Sequence, residues 1–209
     1  MSFNRLLLFT KYPTPGCVKS RLIPLLGTFK SALFHKMLSE MAINTVFSAK
    51  TILDFILEVY YSGADSSQMS KWLGNSINFS EQAKGDLGYK MREAFRKAFH
   101  DGARKVVIVG SDVPDLSPRL IFQAFNLLRS NNMVIGPTYD GGYYLLGCCD
   151  YYPFLFDQIE WGAPTVLNQT LDRITKLALD VLFLPLLRDI DTPEDFIAFQ
   201  NLPRFPGFA

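Results

Sequence analysis

The sequence predicts an α/β protein in which a mainly parallel sheet lies between layers of helices. Three observations carry this. Residues 5–10 and 106–109 are apolar runs without polar alternation, as strands buried on both faces require. Between such runs lie segments whose apolar positions recur at helical spacing. The two kinds of segment alternate through most of the chain, the signature of strand–helix–strand units.

The elements follow in order. After the first strand, residues 11–27 hold Pro13, Pro15, Gly16, Pro24 and Gly27 and read as loop. Residues 29–49 form a long amphipathic helix, with Leu33, Met37 and Met41 on one line and Phe34, Leu38, Ala42 and Val46 beside it. A second strand is expected over 52–61 and a short helix over 67–73, followed by a polar loop ending in Gly85-Asp86-Leu87-Gly88. A helix follows over 89–100, marked by Met91, Ala94, Phe95, Ala98 and Phe99. After the strand at 106–109, Ser117-Pro118 supplies an N-cap and a first-turn proline for a helix reaching about residue 129. Strands at 133–136 and 143–147 are separated by a Gly-Gly turn. Ala163-Pro164 opens a helix to about 177, a late strand covers 181–184, and Thr192-Pro193 starts a last helix. No repeat, linker or boundary interrupts this pattern, so residues 1–209 are expected to form a single domain.

Composition narrows the function classes. A chain of 209 residues with 48% hydrophobic residues can build a core without disulfides or structural metals. The net charge of +1, with no block of Lys or Arg, argues against a nucleic-acid partner and leaves room for a small anion held by local cations. The three cysteines, Cys17, Cys148 and Cys149, form no disulfide framework or CxxC pattern, which suits a reduced compartment. The apolar run after Arg5 is too short for a signal core or a membrane span, so a cytoplasmic protein is expected. The 18 phenylalanines leave room for an apolar interface such as a homodimer contact.

In open α/β sheets ligands bind beyond the carboxyl ends of the strands. Four segments there carry chemistry. The first, Lys11 to Leu22, joins Gly16, where backbone can approach a ligand, to Lys11, Lys19 and Arg21. Backbone amides with such cations suit a diphosphate; the other reading is a surface loop with solvated cations. It is neither a P-loop nor a GxGxxG fingerprint. The second, Gly110-Ser111-Asp112-Val113-Pro114-Asp115, places carboxylates at a strand end, where a hard divalent ion can share them with phosphate oxygens. The third, Asp140-Gly141-Gly142, is a tight turn by itself, or a place where amides meet a ligand. In the fourth, Asp195 completes a capping box with Thr192. Asp191 stays free for a metal, and Asp189 joins it or pairs with Arg188.

Taken together and in this order, the motifs Lys11-x-Pro13-x-Pro15-Gly16-x-Val18-Lys19-Ser20-Arg21-Leu22, Gly110-Ser111-Asp112-x-Pro114-Asp115-Leu116, Gly136-Pro137-x-x-Asp140-Gly141-Gly142-Tyr143-Tyr144 and Asp189-x-Asp191-Thr192-Pro193-Glu194-Asp195, with Gln82 and Gly85-Asp86-Leu87-Gly88, resemble the GT-A-like glycosyltransferase family associated with arsenosugar biosynthesis. Wider relatives are the nucleotide-diphospho-sugar transferases and, more distantly, the phospholactate guanylyltransferases. The resemblance runs from Leu6 to about Phe196.

It implies a GT-A fold, a three-layer α/β/α sandwich with a mixed, mostly parallel sheet. It implies a diphosphate over Gly16, Lys19 and Arg21, with Lys11, Pro15, Ser111, Gly85 and Asp86 completing the nucleotide site. Asp112 and Asp191 would hold a divalent metal, Mg²⁺ or Mn²⁺. Gly141, Gly142, Tyr143 and Trp161 would line the donor or acceptor pocket. Where relatives carry Trp-Ser-Thr, this chain has Trp161-Gly162-Ala163 and lacks two hydroxyls.

The expected reaction is metal-dependent glycosyl transfer from a nucleotide-diphospho-sugar to a small-molecule acceptor, with Lys19 and Arg21 stabilising the leaving diphosphate and Asp140 as base or acceptor ligand. The same parts suit a nucleotidyltransferase joining an NTP to a small phosphorylated substrate. A third reading is a catalytically silent nucleotide-binding or interaction module. His35 and His100, on predicted helices, are read as packing or surface residues, and Cys17 as unreactive for want of a base. Trp161 either stacks on a ligand or packs. The tail from Asn201, rich in Phe and Pro, covers a sheet edge or a partner surface.

Overall fold

The computed structural model describes residues 4–201; the tail beyond Asn201 lies outside the described residues. One seven-stranded sheet runs through the molecule. Its strands are β1 (Asn4–Lys11), β2 (Ile56–Ser62), β3 (Asn78–Glu81), β4 (Lys105–Gly110), β5 (Met133–Pro137), β6 (Tyr143–Cys148) and β7 (Val181–Phe183), in the spatial order β3-β2-β1-β4-β6-β5-β7. The helices are α1 (Ile23–Ala49), α2 (Ser66–Leu73), α3 (Leu87–His100), α4 (Pro118–Leu127), α5 (Val166–Lys176) and α6 (Pro193–Gln200). Only β6 runs against its neighbours β4 and β5; the other pairings are parallel, so the sheet is mixed and mostly parallel as expected.

The uninterrupted apolar run of β1 is explained by its two faces. Leu6 and Leu8 pack with Val46 of α1 and Ile121 and Phe125 of α4. Leu7 and Phe9 point the other way, into Met91 and Phe95 of α3 and Ile174 of α5. Each such side chain contributes roughly 1.5–3 kcal/mol by leaving water. A third cluster docks α6 onto α1: Phe34 meets Phe196 and Phe199 edge-on, at centroid distances of 4.9 and 5.6 Å.

Several expected boundaries shift, each for a local reason. The first loop gives way to helix at Ile23, because Pro24 in a first turn lacks only an N–H the helix does not use. Gly27, at φ 77° and ψ 166°, then breaks the helical path before α1 continues. The second strand starts at Ile56 rather than 52, because the amides of Thr51, Ile52 and Leu53 close the end of α1 on the carbonyls of Ser48 and Ala49. The polar loop before Gly85 contains an unforeseen strand, β3, a short edge strand without a buried residue and so without an apolar signature. Helix α5 starts at Val166, after a turn through Pro164, and not at Ala163.

The chain passes from β1 to β2 on one side of the sheet and reaches β4 on the other. The carboxyl ends of β1 and β4 therefore frame a crevice, the usual ligand position in open α/β sheets.

Candidate functional site

A cleft of about 480 Å³ opens at that crevice, within the size range of small-molecule sites. Its floor is the end of β1. Thr10 Oγ1 lies 2.8 Å from Ser39 Oγ and accepts from Ser111 Oγ at 3.3 Å, so a buried hydroxyl network ties β1, α1 and the β4 loop together.

Lys19 stands at the centre of the charged wall. Its side chain is only 3% exposed. Its Nζ donates to the carbonyl of Ile190 at 2.6 Å and lies 2.8 Å from Asp112 Oδ1 and 3.5 Å from Asp191 Oδ1. The Asp112 contact is an ion pair without hydrogen-bond alignment. Lys19 is left-handed, with φ 47° and ψ 45°, a conformation costing a non-glycine residue roughly 1–2 kcal/mol. The three oxygens and the buried Val18 next to it hold the strain in place. Arg21 reaches the other oxygen of Asp191 from the solvent side, Nη1 to Oδ2 at 2.9 Å.

The two acid loops are joined by the Ile190 amide, which donates to the carbonyl of Asp112 at 3.0 Å. Burial opposes the charge on Asp112, but Lys19 and His35 outweigh it and hold the carboxyl well below the usual carboxylate range. The His35 ring lies beneath, with Nδ1 3.7 Å from Asp112 Oδ1 and Nε2 3.0 Å from the carbonyl oxygen of Lys11.

The opposite wall comes from the β5–β6 turn. Asp140 Oδ1 accepts from Thr138 Oγ1 and from the Gly142 amide, at 2.5 and 2.9 Å, so one of its oxygens holds the turn. Asp189 faces it. Burial, then the charge of Asp140, push the Asp189 carboxyl up to about 6. Arg188 turns to Asp195 instead, with Nη1 2.8 Å from Oδ1. The capping box of Thr192 and Asp195 forms as read from sequence. The third wall is aromatic: Tyr143 meets Trp161 edge-on at 6.5 Å, next to Leu87 and Lys90 of α3.

Among the residues singled out from sequence, the cleft gathers Lys11, Lys19, Ser111, Asp112, Asp140 and Asp191, with Gly142, Tyr143 and Trp161 on the far side. Pro15, Gly16, Arg21, Gly85, Asp86 and Gly141 lie outside its lining. Asp86 instead caps α3 through the Tyr89 amide, and Gly141 packs under Pro164. Asp115 lines a separate groove with Tyr139.

The sequence reading missed His35, Lys90 and Thr138 as lining residues and gave Gln82 no role. Gln82 Nε2 is pinned by the carbonyls of Thr10 and Tyr60, both at 3.1 Å, at the edge of the cleft. For His35 a usable signal existed: it lies on one helical line with Ser31 and Ser39, a polar stripe on a helix otherwise rich in apolar residues.

Asp112 and Asp191 converge on the Lys19 ammonium; two carboxylates are as many as a divalent ion takes where phosphate oxygens complete its shell. No group of three or more His, Cys, Asp or Glu side chains among the described residues is placed to hold a metal unaided. No helix among them is long and apolar enough to cross a membrane.

The fold is that of the nucleotide-diphospho-sugar transferases. A crystal structure from Desulfovibrio desulfuricans G20, provisionally assigned as a nucleotide-diphospho-sugar transferase, superposes with a TM-score of 0.88 at 36% identity, over 100% of this chain and 90% of that one. The chain belongs to the family described as an uncharacterized protein conserved in bacteria, DUF2064, whose model matches residues 45–163. Two more distant structures share the fold. A nucleotidyl transferase from Methanothermobacter thermautotroptrophicus has a TM-score of 0.61 at 14% identity, over 95% of this chain and 96% of that one. Glucosyl-3-phosphoglycerate synthase from Mycobacterium tuberculosis, solved with Mn²⁺, uridine diphosphate and phosphoglyceric acid, has a TM-score of 0.56 at 12% identity, over 93% of this chain and 73% of that one. No curated protein sequence matches the chain.

Proposed function

We propose that this chain is a single-domain transferase that uses a nucleotide-diphospho-sugar donor with Mg²⁺ or Mn²⁺ and passes the sugar to a small-molecule acceptor. The observation that carries it is the convergence of Lys19, Asp112 and Asp191 at the β1–β4 crevice. Diphosphate binding falls to Lys19 and Lys11, with Arg21 and the amides from Gly16 onward closing over it as the loop engages. Asp112 and Asp191 would hold the metal, whose charge stabilises the departing diphosphate. Ser111 fixes the floor beneath.

Tyr143, Gly142 and Trp161 form the acceptor side. Trp161 there offers a ring face without the two neighbouring hydroxyls of its relatives. Asp140 keeps one oxygen for the acceptor, and Asp189 beside it, titrating at about 6, is suited to take the acceptor hydroxyl proton at neutral pH.

One observation favours nucleotidyl transfer as the second reading. Asp140 is partly committed to its turn, and a phosphate nucleophile needs no strong base.

A thermal-shift panel of UDP, GDP, CDP, TDP, their sugars and GTP, with and without Mn²⁺, tests both. A ligand at about 100 times its Kd adds roughly 2.7 kcal/mol of stability. Metal-dependent stabilisation by one diphosphate or its sugar, lost in Asp112→Asn, supports glycosyl transfer. A response to a triphosphate alone turns the assignment to nucleotidyl transfer. A flat panel leaves the silent module.

A further inference from the structure

The point on which the two acids converge is not open. The Lys19 ammonium fills it, with three oxygens around it from Ile190, Asp112 and Asp191. We propose that Lys19 is the resident counter-ion of the acid pair, and that a divalent metal enters only after a diphosphate has drawn this ammonium away. The inference rests on the nucleotide reading above and adds an order to it: diphosphate first, metal second.

The physical argument is one of charge and reach. A divalent ion between these two carboxylates would stand beside the buried ammonium and meet like-charge repulsion. Without the ammonium, Asp112 loses its cation and Asp191 keeps only the exposed Arg21, so the acid pair is left with net negative charge that attracts a cation. Lys19 has the means to leave, because its ammonium is a point charge on a flexible four-carbon stem, and it already lines the cleft where a diphosphate would lie. Its left-handed backbone aims the side chain at the acids before any ligand arrives. Arg21 holds Asp191 from the solvent side only, with its side chain 63% exposed, and does not occupy the central point.

The test is Mn²⁺ retained by the protein on ultrafiltration at fixed free Mn²⁺, with and without inorganic pyrophosphate as the diphosphate probe. Wild type should retain Mn²⁺ weakly alone and at least about tenfold more tightly with pyrophosphate. Lys19→Met should bind Mn²⁺ alone at least about tenfold more tightly than wild type, a change of about 1.4 kcal/mol. That gain should vanish in the double variant Lys19→Met, Asp112→Asn. Lys19→Gly is the second variant: it removes the ammonium and relieves the left-handed strain, so it keeps the test decisive if Lys19→Met folds poorly.

If both single variants fold and bind Mn²⁺ no more tightly than wild type, the counter-ion role is wrong. Should wild type with pyrophosphate still retain the metal in that case, the nucleotide reading survives alone. Retention in none of the samples overturns the counter-ion role and the metal site together.

Discussion

The indole of Trp161 lies against the backbone of Gly88: a Cβ added at Gly88 would come within 2.3 Å of the indole Nε1. The first turn of α3 is thereby seated against the aromatic wall of the cleft. Gly88→Ala should displace the ring at about 1–3 kcal/mol of overpacking, partly offset by alanine's better helix propensity. Trp161 fluorescence, read in a Trp72→Phe background, should shift, and acceptor-side binding should weaken. An unchanged spectrum would mean that the ring is not held by this contact.

Gly141 and Gly162 make a matched pair. Both have positive φ, 87° and 88°. A Cβ on Gly141 would stand 2.0 Å from the carbonyl oxygen of Pro164, whereas one on Gly162 meets nothing within 4 Å. Gly162→Ala should therefore cost only the backbone strain, about 1 kcal/mol. Gly141→Ala should cost more than about 3 kcal/mol, because the obstacle is backbone. Urea denaturation of the two variants checks the difference; equal losses would refute it.

Asp189 sets a pH dependence. Its folded carboxyl is raised to about 6, above its value in an unfolded chain. Its contribution to stability is therefore fully present below about pH 4 and is lost as pH rises through about 6. At pH 7.5 the charge is a burden, on the order of 1 kcal/mol after solvent screening. Asp189→Asn should stabilise the protein at pH 7.5 and show no gain at pH 4, measured by melting temperature across that range.

Phe34 anchors α6, whose capping box follows directly on Asp191. Phe34→Ala should cost about 3–5 kcal/mol and free α6 from α1. Hydrogen exchange should then rise in α6 before it rises in the central strands. Uniform protection across both would show that α6 does not depend on this contact.

The fold was largely legible because burial on both faces writes an unmistakable pattern. Strands β1 and β4, helices α3 and α4 and the Thr192 cap all appear where apolar spacing or cap chemistry placed them. β3 escaped because a short, mostly exposed edge strand has no such pattern. At the site, Lys19, Asp112, Asp140 and Asp191 were visible as polar residues just past strand ends. His35 shares a polar line on α1 with Ser31 and Ser39, but helical spacing alone does not say which loop that line will meet.

The amino-acid sequence by itself determined the alternation of elements, the strand-end acids and the cation-bearing first loop, since each depends on neighbours within a few residues. Only the tertiary structure decided that Lys19 lies between Asp112 and Asp191, that Arg188 takes Asp195 and that Asp189 is left facing Asp140. Those pairings join segments far apart in the chain. Strand order and helix docking set their distances, and charge interactions depend on distance and burial rather than on spacing along the chain.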